Sequence, residues 1–317
     1  QGATIVPSQF WFVEFVKHPK LGLNPRAPHA RTSARALDRA KKEYADIRLE
    51  GSVEARFLYF VITGSEITPF CHTKLPVAML PIETSGSQFR IVNSKEAGDR
   101  GFTGLKEWLK QAEVLWEKKR AEKAEKVDLY SWLDYRKKLT QQSSKSKFKV
   151  VYNTSGTYLC ACIARSSDTA LKVNDTVLKL NGVLAAHTTY YYDTNDEDEA
   201  FYTVAWLNST IIDKLIKPMQ SRGLWGERHI VKKVLELPIP RYNPKDELHS
   251  QLVIISKECH KKVKEIIPVL EQKYTSIGKI RAEIKEILER EISEIDRIIR
   301  QLLLKTGTKH RSMESFV

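Results

Sequence analysis

The chain has 317 residues, 42% of them apolar, which is enough to bury real cores and excludes a globally disordered polymer. Its 52 lysines and arginines against 39 acidic residues leave a net charge of +13, which favours a polyanionic partner, nucleic acid first, over a surface that is merely kept soluble. No secretory leader and no apolar run of bilayer length is visible, so the expectation is a cytoplasmic protein without a membrane partner.

Residues 3–16 cluster β-formers around Pro7-Ser8-Gln9 and predict two strands, and the prolines at 19, 25 and 28 predict a loop. Residues 32–44 predict a helix carrying Arg35, Arg39, Lys41 and Lys42, whose basic side faces either solvent or phosphate. The run VEARFLYFVI at 53–62 is read as a buried helix, and 76–82 and 88–92 as short strands. Leu105, Trp108, Leu109, Ala112, Leu115 and Trp116 then mark an amphipathic helix reaching Lys126, and a second helix is expected over 129–139. The aromatics of this helical pair are assigned to packing in preference to base stacking.

Four cysteines without regular spacing suit a reducing compartment, and Cys71, Cys160, Cys162 and Cys259 are expected as plain thiols, not zinc ligands. The β pattern resumes at 143–150 (SSKSKFKV), where alternation puts Lys145, Lys147 and Lys149 on one strand face. A row of like charges needs water or an anion before it, and DNA phosphate is the favoured reading over a wet edge strand. Asn153-Thr154-Ser155-Gly156 turns the chain into a partner strand at 157–163. Along 187–192, His187 alternates with Thr189 and Tyr191, and Thr188 with Tyr190 and Tyr192. One set packs inward and the other offers polar tips, so His187 and Tyr190 are both carried as DNA-contact candidates.

Asp196, Glu197, Asp198 and Glu199 suit the positive end of a helix, and Phe201, Val204, Ala205, Asn208, Ile211, Ile212 and Leu215 form its apolar face as far as Pro218. Asn208, the one polar member of that face, is expected to satisfy buried backbone. The following loop, 221–229, holds Arg222, Trp225, Arg228 and His229 around Gly223 and Gly226. Arginine pairs bidentately with guanine, so Arg222 and Arg228 are the candidate base readers. Trp225 either wedges beside an extruded base or plugs the lobe, and His229 either contacts DNA or caps the apolar-periodic segment that Pro238 and Pro240 close. From residue 245 to 305 apolar residues recur every three or four positions, with a kink expected at Pro268 and a coiled-coil seam beyond Ile280. A spacer or dimerisation arm is the expected role, and packing back on the chain's own lobe is the rival.

The succession Ala205-Trp206-Leu207-Asn208-Ser209, the glycine-arginine loop, and Leu237-Pro238-Ile239-Pro240 resembles the C-terminal target-recognition domain of adenine-specific DNA methyltransferases of the TaqI type. It is similar also to the specificity subunits of type I restriction systems. The opening 2–13 looks like the entry to that domain, and the resemblance extends to Lys264. It implies sequence-specific binding of double-stranded DNA on behalf of a methyltransferase domain in cis or a subunit in trans. That parent protein would use S-adenosylmethionine in a restriction-modification system, and is a candidate for cleaving DNA as well. Within this chain neither a glycine-rich donor loop nor the Asn-Pro-Pro-Tyr-like motif is present, since Asn24-Pro25-Arg26 and Asn243-Pro244-Lys245 lack the second proline and the aromatic. No catalytic, cofactor or metal residue is assigned to it, and it is read as a fragment of something longer.

The expected fold is α+β: a first β-containing lobe at 1–94, a helical insertion at 95–142, a second lobe at 143–245, a long helical arm at 246–306 and a frayed tail at 307–317. The DNA contacts expected on it are Lys145, Lys147, Lys149, His187, Tyr190, Arg222, Trp225, Arg228 and His229. The rival functions are a stand-alone specificity subunit and a helical protein–protein scaffold, with a dimer through the C-terminal helix as a further expectation.

Overall fold

The computed structural model describes residues 1–17, 22–220, 222–223, 226–227, 230, 234, 237 and 239–307. The fold is α+β and divides into two compact units, one of residues 1–62, 75–146 and 165–187, the other of residues 63–74, 147–164 and 188–317.

A six-stranded sheet organises the first unit, in the order Val183–Ala185, Leu58–Ile62, Val77–Met79, Phe12–Phe15, His29–Thr32, Glu50–Ser52. Leu58–Ile62 lies inside it, parallel to Val183–Ala185 and antiparallel to Val77–Met79, with all five residues buried. The helix expected over 53–62 is thus a 3-10 turn, Ala55–Phe57, followed by a strand. A strand covered on both faces carries an unbroken apolar run, and the period that separates strand from helix is then lost. Residues 3–16 hold one strand, not two, because Ser8–Trp11 forms a helical turn. The basic helix expected over 32–44 is only Ala34–Asp38, with the Ser33 side chain accepting from Ala36 N.

The helical pair is built into this unit and is not a separate insertion. Helix Thr103–Lys119 buries Leu105, Trp108, Leu109, Ala112 and Trp116. Glu54 caps it by accepting from Gly104 N at 3.0 Å and Leu105 N at 2.9 Å, and Trp108 Nε1 donates to Phe10 O at 2.9 Å. The second helix stops at Leu133, shortly before Arg136 and Lys137 take left-handed backbone angles. Residues 165–187, expected in the second lobe, belong here through Val183–Ala185, whose free edge is completed by Gln142: its amide donates to Ala185 O and accepts from Ala185 N, both at 2.9 Å.

The second unit has a small sheet of β1 (Phe148–Asn153), β2 (Ala161–Arg165) and β3 (Thr189–Thr194), with β1 in the middle. Helix α1 (Glu197–Asn208) packs on β1 and β3. Asp196 caps it, accepting from Asp198 N and Glu199 N, and three acidic residues fill its first turn as the macrodipole favours. The helix does not run on to Pro218: Ser209 leaves helical geometry and its hydroxyl caps α2 (Thr210–Ile216) by accepting from Ile212 N at 3.2 Å.

The C-terminal region is helical, with the long α3 (Glu247–Lys273), then α4 (Ile277–Ile287) and α5 (Glu289–Gly307). Pro268 lies inside α3 on its exposed side, and the break falls instead at Tyr274. The apolar seam Ile280, Ile284, Leu288, Ile292, Ile295, Ile299 and Leu302 is buried in one core with Phe201, Val204 and Leu252. α5 contacts α1, α2 and α3, and Asp296 accepts from Thr210 N at 3.0 Å. The seam read as a dimerisation arm is therefore covered from within the chain. Each such side chain contributes about 1.5–3 kcal/mol by burial, which outweighs an extended arm left in water.

Candidate nucleic-acid interface

The second unit shows what the Leu207-Asn208-Ser209 motif does locally. Asn208 is 2% exposed and uses its whole amide: Oδ1 accepts from Ala161 N at 3.0 Å, and Nδ2 donates to Ala161 O at 2.8 Å and Val204 O at 3.0 Å. The side chain thus takes the place of a neighbouring strand beside β2. Asp213 repeats the device one helix later by accepting from Leu159 N at 2.9 Å. Both helices are pinned to one stretch of chain, and the buried Asn208 has no N–H left to donate to a base. The expectation that it satisfies buried backbone holds.

Beyond α2, the chain is fastened on both sides of the glycine-arginine loop. Gln220 is buried, Ile230 and Val234 lie in the core, and Ile230 N donates to Thr154 O at 2.9 Å. Downstream, Leu237, Ile239 and Tyr242 pack against the same core, and Tyr202 Oη donates to Pro240 O at 3.0 Å. Within the loop, Arg222–Gly223 pairs antiparallel with Gly226–Glu227. Trp225, Arg228 and His229 lie outside the described residues, as does the side chain of Arg222.

The three lysines do not share a strand face. β1 begins at Phe148, so Lys145 and Lys147 precede it, and they belong to different units. Both are exposed, and neither has an ion-pair partner among the described residues. Lys149 is a correction: it is 2% exposed, its Nζ lies 2.6 Å from Asp193 Oδ1, and it sits 4.2 Å from the centroid of Tyr191. Asp193 is its register partner on β3, so the cross-strand neighbour supplies the anion expected from DNA. Burial pulls the Lys149 ammonium below the usual lysine range, against the opposing pull of Asp193.

His187 and Tyr190 are both half-buried. The His187 ring lies in the first unit with Nδ1 buried and unpartnered, and its pKa is lowered, first by burial and then by the charge of Lys138. Burial thus works against the positive charge that would draw the His187 ring to a phosphate. Tyr190 stacks on Tyr152 with centroids 5.4 Å apart, so its ring serves packing first.

Several exposed cations were missed. Arg241 follows directly on the Leu237–Pro240 motif and Lys245 comes four residues later; both are exposed, with no ion pair among the described residues. Lys261, Lys264, Arg290 and Arg300 are exposed on α3 and α5, whereas Lys262, Lys273 and Arg297 are taken up by Glu291, Glu283 and Glu294. Position after the closing prolines was the one available signal for Arg241. All four cysteines are buried and none forms a disulfide, and burial pushes the Cys259 thiol up to about 12. Among the described residues no three histidines, cysteines or acids are grouped to hold a metal ion, and no helix is long and apolar enough to cross a membrane. The sequence matches no family model and no curated protein.

Proposed function

We propose that this chain is a target-recognition module that binds a specific site in double-stranded DNA and serves an adenine-specific methyltransferase, in cis or in trans. The reading rests most on one observation. The arginine-bearing loop after Gln220 is held at both ends, by a helix pair pinned through Asn208 and Asp213 and by Leu237 and Ile239 on the core, in a chain of net charge +13. Anchored ends let a short loop present base-reading side chains without paying the full cost of ordering them on contact.

Exposed, uncompensated cations such as Lys147, Arg241 and Lys245 supply the affinity that does not depend on sequence. Arg222 and Arg228 supply discrimination, at about 1–3 kcal/mol for each good bidentate contact to guanine. S-adenosylmethionine belongs to the methyltransferase partner in this scheme and no residue of this chain is assigned to it. A second reading, a protein–protein scaffold, draws on Ile254 and Val269, which α3 leaves 57% and 63% exposed. Selection from a pool of duplexes with a randomised centre separates the two. Enrichment of one short sequence is expected, and a pool that emerges unenriched after retention on the protein rejects target recognition.

A further inference from the structure

The turn that leads into α3 is held by an acceptor that must be uncharged. Asn243 N donates to His249 Nδ1 at 3.0 Å. A backbone N–H only donates, so Nδ1 carries no proton and the ring is the neutral Nε2–H tautomer. The other ring nitrogen, Nε2, lies 3.5 Å from Tyr202 Oη, which donates to Pro240 O at 3.0 Å. Pro240 and Asn243, the two ends of one short stretch, are thus joined through Tyr202 and His249.

His249 is 4% exposed, and its ring packs on Tyr202 and Tyr242 with centroids 4.6 and 6.3 Å away. It sits in the first turn of α3, where the positive end of the helix disfavours a cation. Of the ionisable groups facing it, Asp246 at the N-cap of α3 favours the imidazolium and Lys305 on α5 opposes it. Burial pushes the phenols of Tyr202 on α1 and of Tyr242 up, so both stay uncharged. Lys245 and Glu247 flank the ring's own helix turn at exposed positions. Burial outweighs Asp246, which holds His249 below the ordinary histidine value of 6.5.

We propose that His249 is a pH-sensitive positioning residue for the arginine-bearing loop: its neutral ring fastens residues 240–243, and a proton on Nδ1 unfastens them. Protonation sets Nδ1–H against the Asn243 N–H, donor against donor, in a ring packed on two tyrosines. The stretch so released begins directly beyond Leu237 and Ile239, which anchor the downstream end of the loop on the core. The clamp follows from the hydrogen bonds by themselves; that the released loop loses its grip on a DNA site rests on the proposed function. A histidine that contacts phosphate behaves in the opposite way, since its protonation strengthens DNA binding. Here acid weakens site preference.

The test uses the full chain. Nitrogen–proton correlation spectra of the imidazoles at about pH 7.5 are expected to show His249 as the Nε2–H tautomer, titrating below 6.5. Protection of the Asn243 amide against hydrogen exchange, corrected for the intrinsic rate at each pH, should fall about tenfold as His249 titrates. His249→Asn offers an uncharged side-chain oxygen near the place of Nδ1 and should hold that protection constant. An Nδ1–H or charged ring at neutral pH overturns the proposal, as does amide protection that ignores the titration or falls equally in His249→Asn. The first two outcomes are read on the unaltered chain, so they stand whether or not the variant folds. In duplex binding, preference for the selected site over random sequence should fall about tenfold between about pH 7.5 and pH 5, and much less in His249→Asn. Site preference that stays constant while the amide responds overturns the positioning role. An amide that follows the titration in a chain that binds no duplex upholds the clamp and removes the DNA-recognition reading alone.

Discussion

Replacing Asn208 with alanine tests whether the Leu207-Asn208-Ser209 motif is structural. The substitution deletes the acceptor of Ala161 N and two donations, to Ala161 O and Val204 O. Ala161 O keeps Phe70 N as a partner at 2.9 Å, so the uncompensated loss falls on the buried Ala161 N–H. That orphan costs about 1–3 kcal/mol, and the two other bonds add about 0.5–1.5 kcal/mol each, giving a loss of about 2–6 kcal/mol. Asn208→Asp is the sharper variant, because it keeps the acceptor and sets a carboxylate oxygen against two carbonyls. Its ionised form is disfavoured in the fold, so its folded pKa rises above the unfolded value of about 3.9, and its stability falls as pH rises through that window. Urea unfolding, followed by circular dichroism and by tryptophan fluorescence, reads both effects. A loss under about 1 kcal/mol for Asn208→Ala, accompanied by loss of site preference on DNA, would refute the structural role and move Asn208 to the base-reading set.

Three further outcomes concern the basic groups. Lys147→Ala should reduce the slope of log affinity against log salt by about 1, whereas Lys149→Met should leave that slope unchanged because its ammonium is spent on Asp193; equal effects would contradict the burial of Lys149. Arg222→Ala or Arg228→Ala should reduce preference for the selected site more than affinity for random duplex, and equal loss on all sequences would demote the loop to phosphate contact. His187, whose pKa is lowered in the fold, stays neutral in the native chain while unfolded chains take up a proton. Its contribution is therefore present above the ordinary value of 6.5 and is lost as pH falls through its folded pKa. Imidazole resonances should show His187 titrating below 6.5, and His187→Gln should flatten the acid limb of the stability profile; titration at or above 6.5 would sink this.

What the sequence disclosed and what it hid divide along physical lines. Asn208 was legible because a single polar residue on an apolar helix face has little to do except meet buried backbone. The acidic start of α1 was legible from the macrodipole alone. By contrast, LYFVI at 58–62 has no period to read once both faces are buried, so helix and strand were indistinguishable there. The lysine row failed because alternation was extended three residues before the strand begins, and because the cross-strand carboxylate of Asp193 is 44 positions away. The seam of α4 and α5 was correct as a pattern but silent about its partner, since a stripe of isoleucines fits a second chain or α1 to α3 equally well.

The most direct measurement is the affinity of the full chain for a duplex of about 20–30 base pairs at a series of salt concentrations. Engagement of phosphates by exposed lysines and arginines predicts a steep loss of affinity as salt rises, with a log–log slope of about −0.9 for each phosphate engaged. A flat dependence, or no complex at the lowest salt, would contradict the account.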